Sequence, residues 1–246
     1  IFPVLLEENN LTCFDEATGS FLVTASGGTP GYTYATDDRI FQQDSLLGNL
    51  LAGDYTIFIM DANGCVDSLR GNLTQPREFI INPGNDARIF LGFDTLLRVV
   101  SNYSPVTYEW GPDAFECINA ECSIVLAGPV ETTLYTVVGT NPAGCTDTAS
   151  LELIVVEDLP LYIPNAFSPN GDGANDGFTI FGGRAVQEIE HLRVFDRWGG
   201  LQFENMNFMP NEPSLGWDGL VDGQPVNPAV FVYSASVRFI NGTVQE

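Results

Sequence analysis

The chain has 246 residues, 44% of them hydrophobic, and carries 32 acidic against 9 basic residues, a formal charge of −23. That length allows one large domain or two to three small ones with true cores, and the charge repels nucleic acid and anionic lipid over most of the surface while leaving cations and neutral or basic partners. No run of 18 apolar residues offers a membrane-crossing helix, and all nine basic residues are arginine, so neither a lysine–asparagine isopeptide staple nor a Schiff-base lysine can form.

The opening IFPVLLEENN is apolar and then acidic, with no basic region before it and no small-residue cleavage site. It does not read as a signal peptide, and the chain is expected to be a piece of something longer. With 25 glycines, 15 prolines and many Thr, Tyr, Phe and Val residues, the composition predicts short strands joined by turns, an all-β protein. The first strands are expected at SFLVTAS, YTYAT and DYTIFIMD, separated by SGGTPG and followed by DANG; the next at TLLRVVS, VTYEW, SIVLA, TLYTVVGT and ASLELIVVE, with NPAG between the last two.

LLAGDYTIFIMDANGC and VETTLYTVVGTNPAGC share a register. Tyr55 and Tyr135 are 80 residues apart, as are Cys65 and Cys145, which predicts a tandem repeat the size of a small β-sandwich. GGTPGYTYATDD and NYSPVTYEWGPD match further upstream, and Trp110 is expected to be a core tryptophan. Proline and charge interrupt the pattern at QPREF and VEDLPLYIP, dividing the chain into expected modules 1–77, 78–158 and 159–246.

The five cysteines are too sparse for a disulfide miniprotein and wrongly spaced for a zinc ribbon. Disulfides of an extracellular protein are the better reading. Cys13 and Cys65 flank the first repeat and are expected to tie its ends; Cys117 and Cys122 are expected to staple a local loop, leaving Cys145 unpaired or competing for either member of that pair.

At residue 165 the chain reads NAFSPNGDGANDGFTIFGG. Asn170, Asp172, Asn175 and Asp176, jointed by Gly171, Gly173 and Gly177, are a candidate calcium set. Set against an EF-hand loop, Ala174 falls at the third position and Gly183 at the twelfth, where a bidentate Glu belongs, so this is no EF-hand. A network of Asx turns explains the same spacing. Arg197 and Trp198 follow a strand; an arginine over the indole, or paired with Asp176 or Asp218, is expected to lock the turns, with Trp198 and Trp217 both buried. His191 beside Glu188 and Glu190 reads as a solvated strand face. No nucleophile elbow, phosphate-cradling loop or HExxH run occurs, and no catalysis is expected.

GGTPGYTY, the LLAGDYTIFIMDANGC run and Cys13 resemble the SprB-type repeat of Bacteroidetes surface proteins; residues 78–158 look like a PKD-like or immunoglobulin-like module. YIPNAFSPNGDGANDGF, LRVFDRWGGLQFE, GWDG and NPAVFVYSASVRFING, in that order, resemble the gliding-motility-associated C-terminal domain, the type B sorting domain of the type IX secretion system. The resemblance carries the sorting motif to Pro169, Asn170, Gly171, Asp172, Gly173, Asn175, Asp176, Arg197, Trp198, Gly199, Trp217, Asp218 and Gly219. Ala229 departs from the family's usual glycine, and the last strand of the family is expected to be absent after VQE.

The expectation is therefore three tandem Ig-like β-sandwich modules of a secreted, surface-displayed protein, exported by the type IX machinery through its last module. The first two would serve as spacer, adhesive or filament-packing modules, and an open sheet edge would pair with a neighbouring subunit. The alternative is a calcium-dependent carbohydrate- or protein-binding module.

Overall fold

The computed structural model describes residues 1–112 and 115–246. The protein is all-β: among the described residues the one helical piece is a 3-10 turn at Pro213–Leu215. It packs as two compact units, residues 1–82, 99–109 and 137–149 in the first and 83–98, 110–136 and 150–246 in the second. The segment read as a middle module contributes to both.

In the first unit, β1 (Phe2–Asn9), β2 (Gly19–Ser26) and β4 (Leu46–Leu50) form one sheet in the order β1-β2-β4. β3 (Thr33–Ala35), β5 (Gly53–Met60) and β6 (Val66–Leu73) form the other, in the order β3-β5-β6. Alternation decides which residues face inward: β2 buries Phe21 and Val23, and β5 buries Ile57 and Ile59, while their neighbours stay more open. These four join Leu11, Tyr34, Leu47 and Leu73 in one apolar cluster. Gly71 makes room for the largest of them, since a Cβ there would stand 2.4 Å from the Phe21 ring. The Tyr55 hydroxyl donates to the Leu51 carbonyl at 2.9 Å, pinning the approach to β5.

β7 (Ile81–Asn82), β8 (Ala87–Phe90), β9 (Thr95–Arg98) and β10 (Val100–Ser101) lead into β11 (Thr107–Gly111), β12 (Phe115–Cys117), β13 (Ile124–Ala127), β14 (Thr133–Thr140) and β15 (Thr146–Val156). They form the sheets β11-β14-β15-β8 and β12-β13-β9 and the two-stranded β10-β7, with β8 parallel to β15. Trp110 is buried as expected, and its indole N–H donates to the Cys122 carbonyl at 2.8 Å.

The remaining strands are β16 (Leu161–Tyr162), β17 (Phe181–Gly182), β18 (Val186–Phe195), β19 (Leu201–Phe208), β20 (Leu220–Val221), β21 (Gln224–Pro225), β22 (Val232–Phe239) and β23 (Val244–Gln245). The main sheet runs β19-β18-β22-β23. Its inner face buries Ile189, Leu192, Val194, Val237 and Phe239 against Phe178, Ile180 and Trp217, and Leu91 joins the same cluster. Gly92, at φ 85°, permits that approach: a Cβ there would lie 2.8 Å from the Arg184 carbonyl carbon.

One turn recurs three times. In Asp61–Cys65, Asn141–Cys145 and Asp196–Gly200 the first residue's N–H donates to the fifth carbonyl, and the fourth residue's N–H donates to the first carbonyl. The fourth residue is glycine at positive φ each time (Gly64, Gly144 and Gly199). The first side chain's Oδ1 accepts the third and fifth N–H groups at 2.8–3.0 Å. Asx capping and a left-handed glycine thus account for DANGC, NPAGC and DRWGG as hairpin turns.

The structure pairs Cys117 with Cys122, as expected, and corrects the other pairing. Cys13 is bonded to Cys145, while Cys65 is a free, exposed thiol. The reason lies in the ends of β6. Leu11 donates to the Thr74 carbonyl, and the Asp15 N–H to the Gln75 side chain, so Cys13 is held just past the end of β6, whereas Cys65 precedes its start.

Candidate recognition surface of the last module

The NGDGAND stretch folds around Asp176. Its Oδ1 accepts the N–H groups of Asn170 and Gly171 at 3.0 and 2.8 Å, and its Oδ2 that of Gly173 at 2.7 Å. These backbone donors, Gly171 and Gly173 foremost, hold the carboxyl below the usual aspartate range. Asn170 Oδ1 accepts the Asp172 N–H, and Asp172 accepts the Ala174 N–H and the Asn170 amide. Gly171, Gly173 and Asn175 take positive φ. Side-chain oxygens of Asn170, Asp172 and Asp176 are turned toward N–H groups, whereas calcium requires six to eight oxygens converging on one point. Among the described residues, no three His, Cys, Asp or Glu side chains converge to hold a metal ion.

GWDG is explained as locally. A Cβ on Gly216 would come within 2.5 Å of the Phe178 carbonyl, so glycine lets Trp217 and Phe178 exchange both backbone hydrogen bonds, at 2.8 and 3.0 Å. Trp217 is 1% exposed, with its indole N–H on the Leu220 carbonyl. Asp218 caps the Leu220 N–H, and Gly219 sits at φ 78° against Pro169.

DRWGG differs. Asp196 and the two glycines build the turn, but Trp198 is 85% exposed and Arg197 is also exposed. This corrects the expectation that Trp198 would be buried; of the two arrangements expected for Arg197, the one over an indole is found, and the pairing with Asp176 or Asp218 is not among the described ion pairs. The guanidinium stands 5.6 Å over the ring of its neighbour Trp198, while Asp176 and Asp218 are taken by backbone N–H groups. A tight two-stranded turn points its tip away from the sheet, and no second layer reaches it.

Glu188 and Glu190 are structural. Both pair with Arg238 across β18 and β22, Glu190 also accepts the Ser236 hydroxyl at 2.6 Å, and His191 meets the Ser234 hydroxyl. The Ser236 bond, ahead of Arg238, holds the Glu190 carboxyl below its usual range.

A groove of about 580 Å³ lies between segments 164–169 and 225–233, and sequence reasoning missed it. Its aromatic wall is Phe167, Phe178, Trp217, Phe231 and Tyr233, joined ring to ring at 4.8–6.0 Å. The signal was present in PNAFSP and NPAVFVY, where prolines hold aromatic residues in extended chain. Beside it, β22 pairs along its length with β18, but β23 meets it only at Val237 and Arg238. Residues 232–236 therefore present an edge without a strand neighbour among the described residues.

The described residues form tandem β-structure, and the turn motifs of the last module are set by backbone demands. Residues 161–245 match the family model of the CHU_C Type IX secretion signal domain, and residues 8–38 match that of the SprB repeat. The resemblances to the sorting domain and to the SprB repeat are both found, and they mark a secreted, cell-surface protein bearing a type IX secretion signal; no family model is found over residues 78–158, read as PKD- or Ig-like. Neither matched family is an enzymatic kind. No curated protein matches the chain. Among solved structures, the three N-terminal domains of the bacteriophage RB49 outer capsid protein Hoc align with TM-score 0.35 at 13% identity, covering 95% of this chain and 86% of that one. Domains 4–9 of the surface-layer protein SbsC align at 0.27 and 11% identity; this chain is covered to 83% and spans 37% of that one. No helix among the described residues is long and apolar enough to cross a membrane.

Proposed function

We propose that the chain is a non-catalytic region of a surface protein in which residues 159–246 are read, as a folded surface, by the type IX secretion machinery. The observation that carries this reading is Trp198. The other glycines, aspartates and the second tryptophan of the matched motifs serve backbone turns or the core, whereas Trp198 and Arg197 are left in solvent. An exposed indole beside a guanidinium is the kind of pair that anchors a protein partner. Residues 1–77, SprB-like, and 78–158, PKD- or Ig-like, act as spacer or adhesive modules stiffened by the Cys13–Cys145 bond. The edge at 232–236 is available for strand addition by a neighbouring subunit, which would build a filament. Asp176 holds its loop without metal, in place of the calcium-dependent alternative. Fusing residues 159–246 to a periplasm-targeted reporter, in a host with this secretion system, tests the central reading.

A further inference from the structure

We propose that the outward face of the last module's main sheet carries, at its Trp198 end, a docking patch made of Trp198, Leu201, Phe195 and Val232 and edged by Arg197, and that its partner in the secretion machinery is an apolar surface bordered by a carboxylate. It rests on the sorting reading of residues 159–246 and adds the extent of the recognised surface and the chemistry that fits it. The turn itself supplies an internal comparison. Asp61–Cys65, Asn141–Cys145 and Asp196–Gly200 close with the same hydrogen bonds and the same left-handed glycine. Their second and third side chains take no part in those bonds and are Ala62 and Asn63, Pro142 and Ala143, and Arg197 and Trp198. The turn closes equally well on small residues, so hairpin formation does not account for a guanidinium and an indole at this one.

Strand register extends the surface beyond the tip. Phe195 pairs with Leu201 of β19 on one side and with Val232 of β22 on the other, one cross-strand row at the end of the sheet from which the Trp198 hairpin leaves. The core cluster takes their neighbours Val194, Phe203 and Phe231 and none of these three, so alternation turns the row outward. Leu201 is 51% and Val232 58% exposed. The next outward positions are polar: Arg193 bonds Glu204 and is in register with Ser234, and Glu190 takes Ser236 and Arg238. The face is thus apolar at one end and ion-paired along the rest, the makeup of a contact with an apolar centre and a polar border.

Charge selects the partner. Arg193 and Arg238 are paired with carboxylates, whereas among the described residues no carboxylate pairs with Arg197, whose guanidinium stands over Trp198. On a chain of formal charge −23, an arginine left unpaired beside an apolar patch is a cation offered outward. A carboxylate fits its planar fork through two parallel hydrogen bonds. Two copies of so acidic a chain repel each other, which points to a different protein rather than a second copy.

The test is export of the natural full-length protein in a host with an active type IX system, compared among a Leu201→Thr/Val232→Thr double variant, Arg197→Lys, Arg197→Glu and a control, Met206→Thr. Met206 is 50% exposed and lies in register with His191, away from the patch. Threonine keeps strand propensity, and melts of the 246-residue variants check that each is folded at growth temperature. The double variant and Arg197→Glu should each lower the exported fraction about tenfold, the scale of losing an anchoring side chain. Arg197→Lys should be exported better than Arg197→Glu, and Met206→Thr as well as the unaltered protein. Normal export of the double variant or of Arg197→Glu overturns the patch and leaves the sorting reading standing, whereas periplasmic retention of the unaltered protein overturns both. Self-association of the purified chain, or its pelleting with phosphatidylcholine vesicles, that the threonine substitutions abolish gives the patch to a second copy or to lipid and also overturns the proposal.

Discussion

Cys13 and Cys145 stand 132 positions apart, and the structure brings their Cα atoms to 5.7 Å and bonds their sulfurs. The bond joins the β1–β2 loop of one repeat, held beside the end of β6, to the hairpin turn of the next, so it closes a long chain loop across a proline-bearing junction. Within that junction Arg77 stacks 4.4 Å over the Tyr103 ring, whose hydroxyl donates back to the Arg77 carbonyl at 2.8 Å. QPREF is thereby a braced joint rather than a free hinge.

The two disulfides are expected to differ in weight. By loop-closure entropy the Cys13–Cys145 bond contributes about 5 kcal/mol and the short Cys117–Cys122 loop about 2 kcal/mol. Thermal unfolding of Cys145→Ser should fall well below that of a Cys117→Ser/Cys122→Ser double variant. Equal losses would place the Cys13 bond outside the load path of the fold.

Trp198 and Trp217 separate recognition from stability. Trp217→Ala empties a core position and should cost about 3–5 kcal/mol. Trp198→Ala, at a solvated tip, should change stability by less than about 0.5 kcal/mol while lowering export of the protein. Denaturant melts paired with secretion assays read both. A Trp198→Ala chain exported at the normal rate would remove the indole from the recognition surface.

Asp176 sets an acid limit on its loop. Because its folded pKa is depressed, its stabilisation is complete above the unfolded value, about 3.9, and is lost as pH falls through the lower folded value. The Gly171 and Gly173 amides should therefore keep their exchange protection down to pH 4 and lose it below, and Asp176→Ala should abolish it at all pH values. Loss of protection well above pH 4 would contradict the hydrogen-bonded loop.

The same loop should be indifferent to calcium. Melting curves with calcium and with chelator are expected to coincide, since oxygens of Asn170, Asp172 and Asp176 already face N–H donors. A marked calcium-dependent rise would restore the metal reading and, with it, the calcium-dependent binding module.

Much of this was legible in the chain because it is local. The strands at SFLVTAS and DYTIFIMD were legible from composition and turn spacing, and the spacing of Tyr55, Tyr135, Cys65 and Cys145 exposed the repeated turn. Asp176 and its glycines obey Asx-turn chemistry that spans seven residues. What was illegible depends on distant pieces meeting. Cys13 finds Cys145 only because the end of β6 is where the next repeat begins, and the groove exists only once residues 164–169 face residues 225–233. Trp198 was misplaced for a related reason: its composition says core, and only the tip of a hairpin with nothing packed over it leaves an indole in water.

The central claim is that the last module suffices as an export address. The direct measurement is the location of a reporter carrying a cleavable leader and residues 159–246, expressed in a host with an active type IX system and in its secretion-deficient counterpart. The account predicts reporter at the cell surface or in the medium in the first host and in the periplasm in the second. Periplasmic reporter in both, with the module shown to be folded, would contradict it.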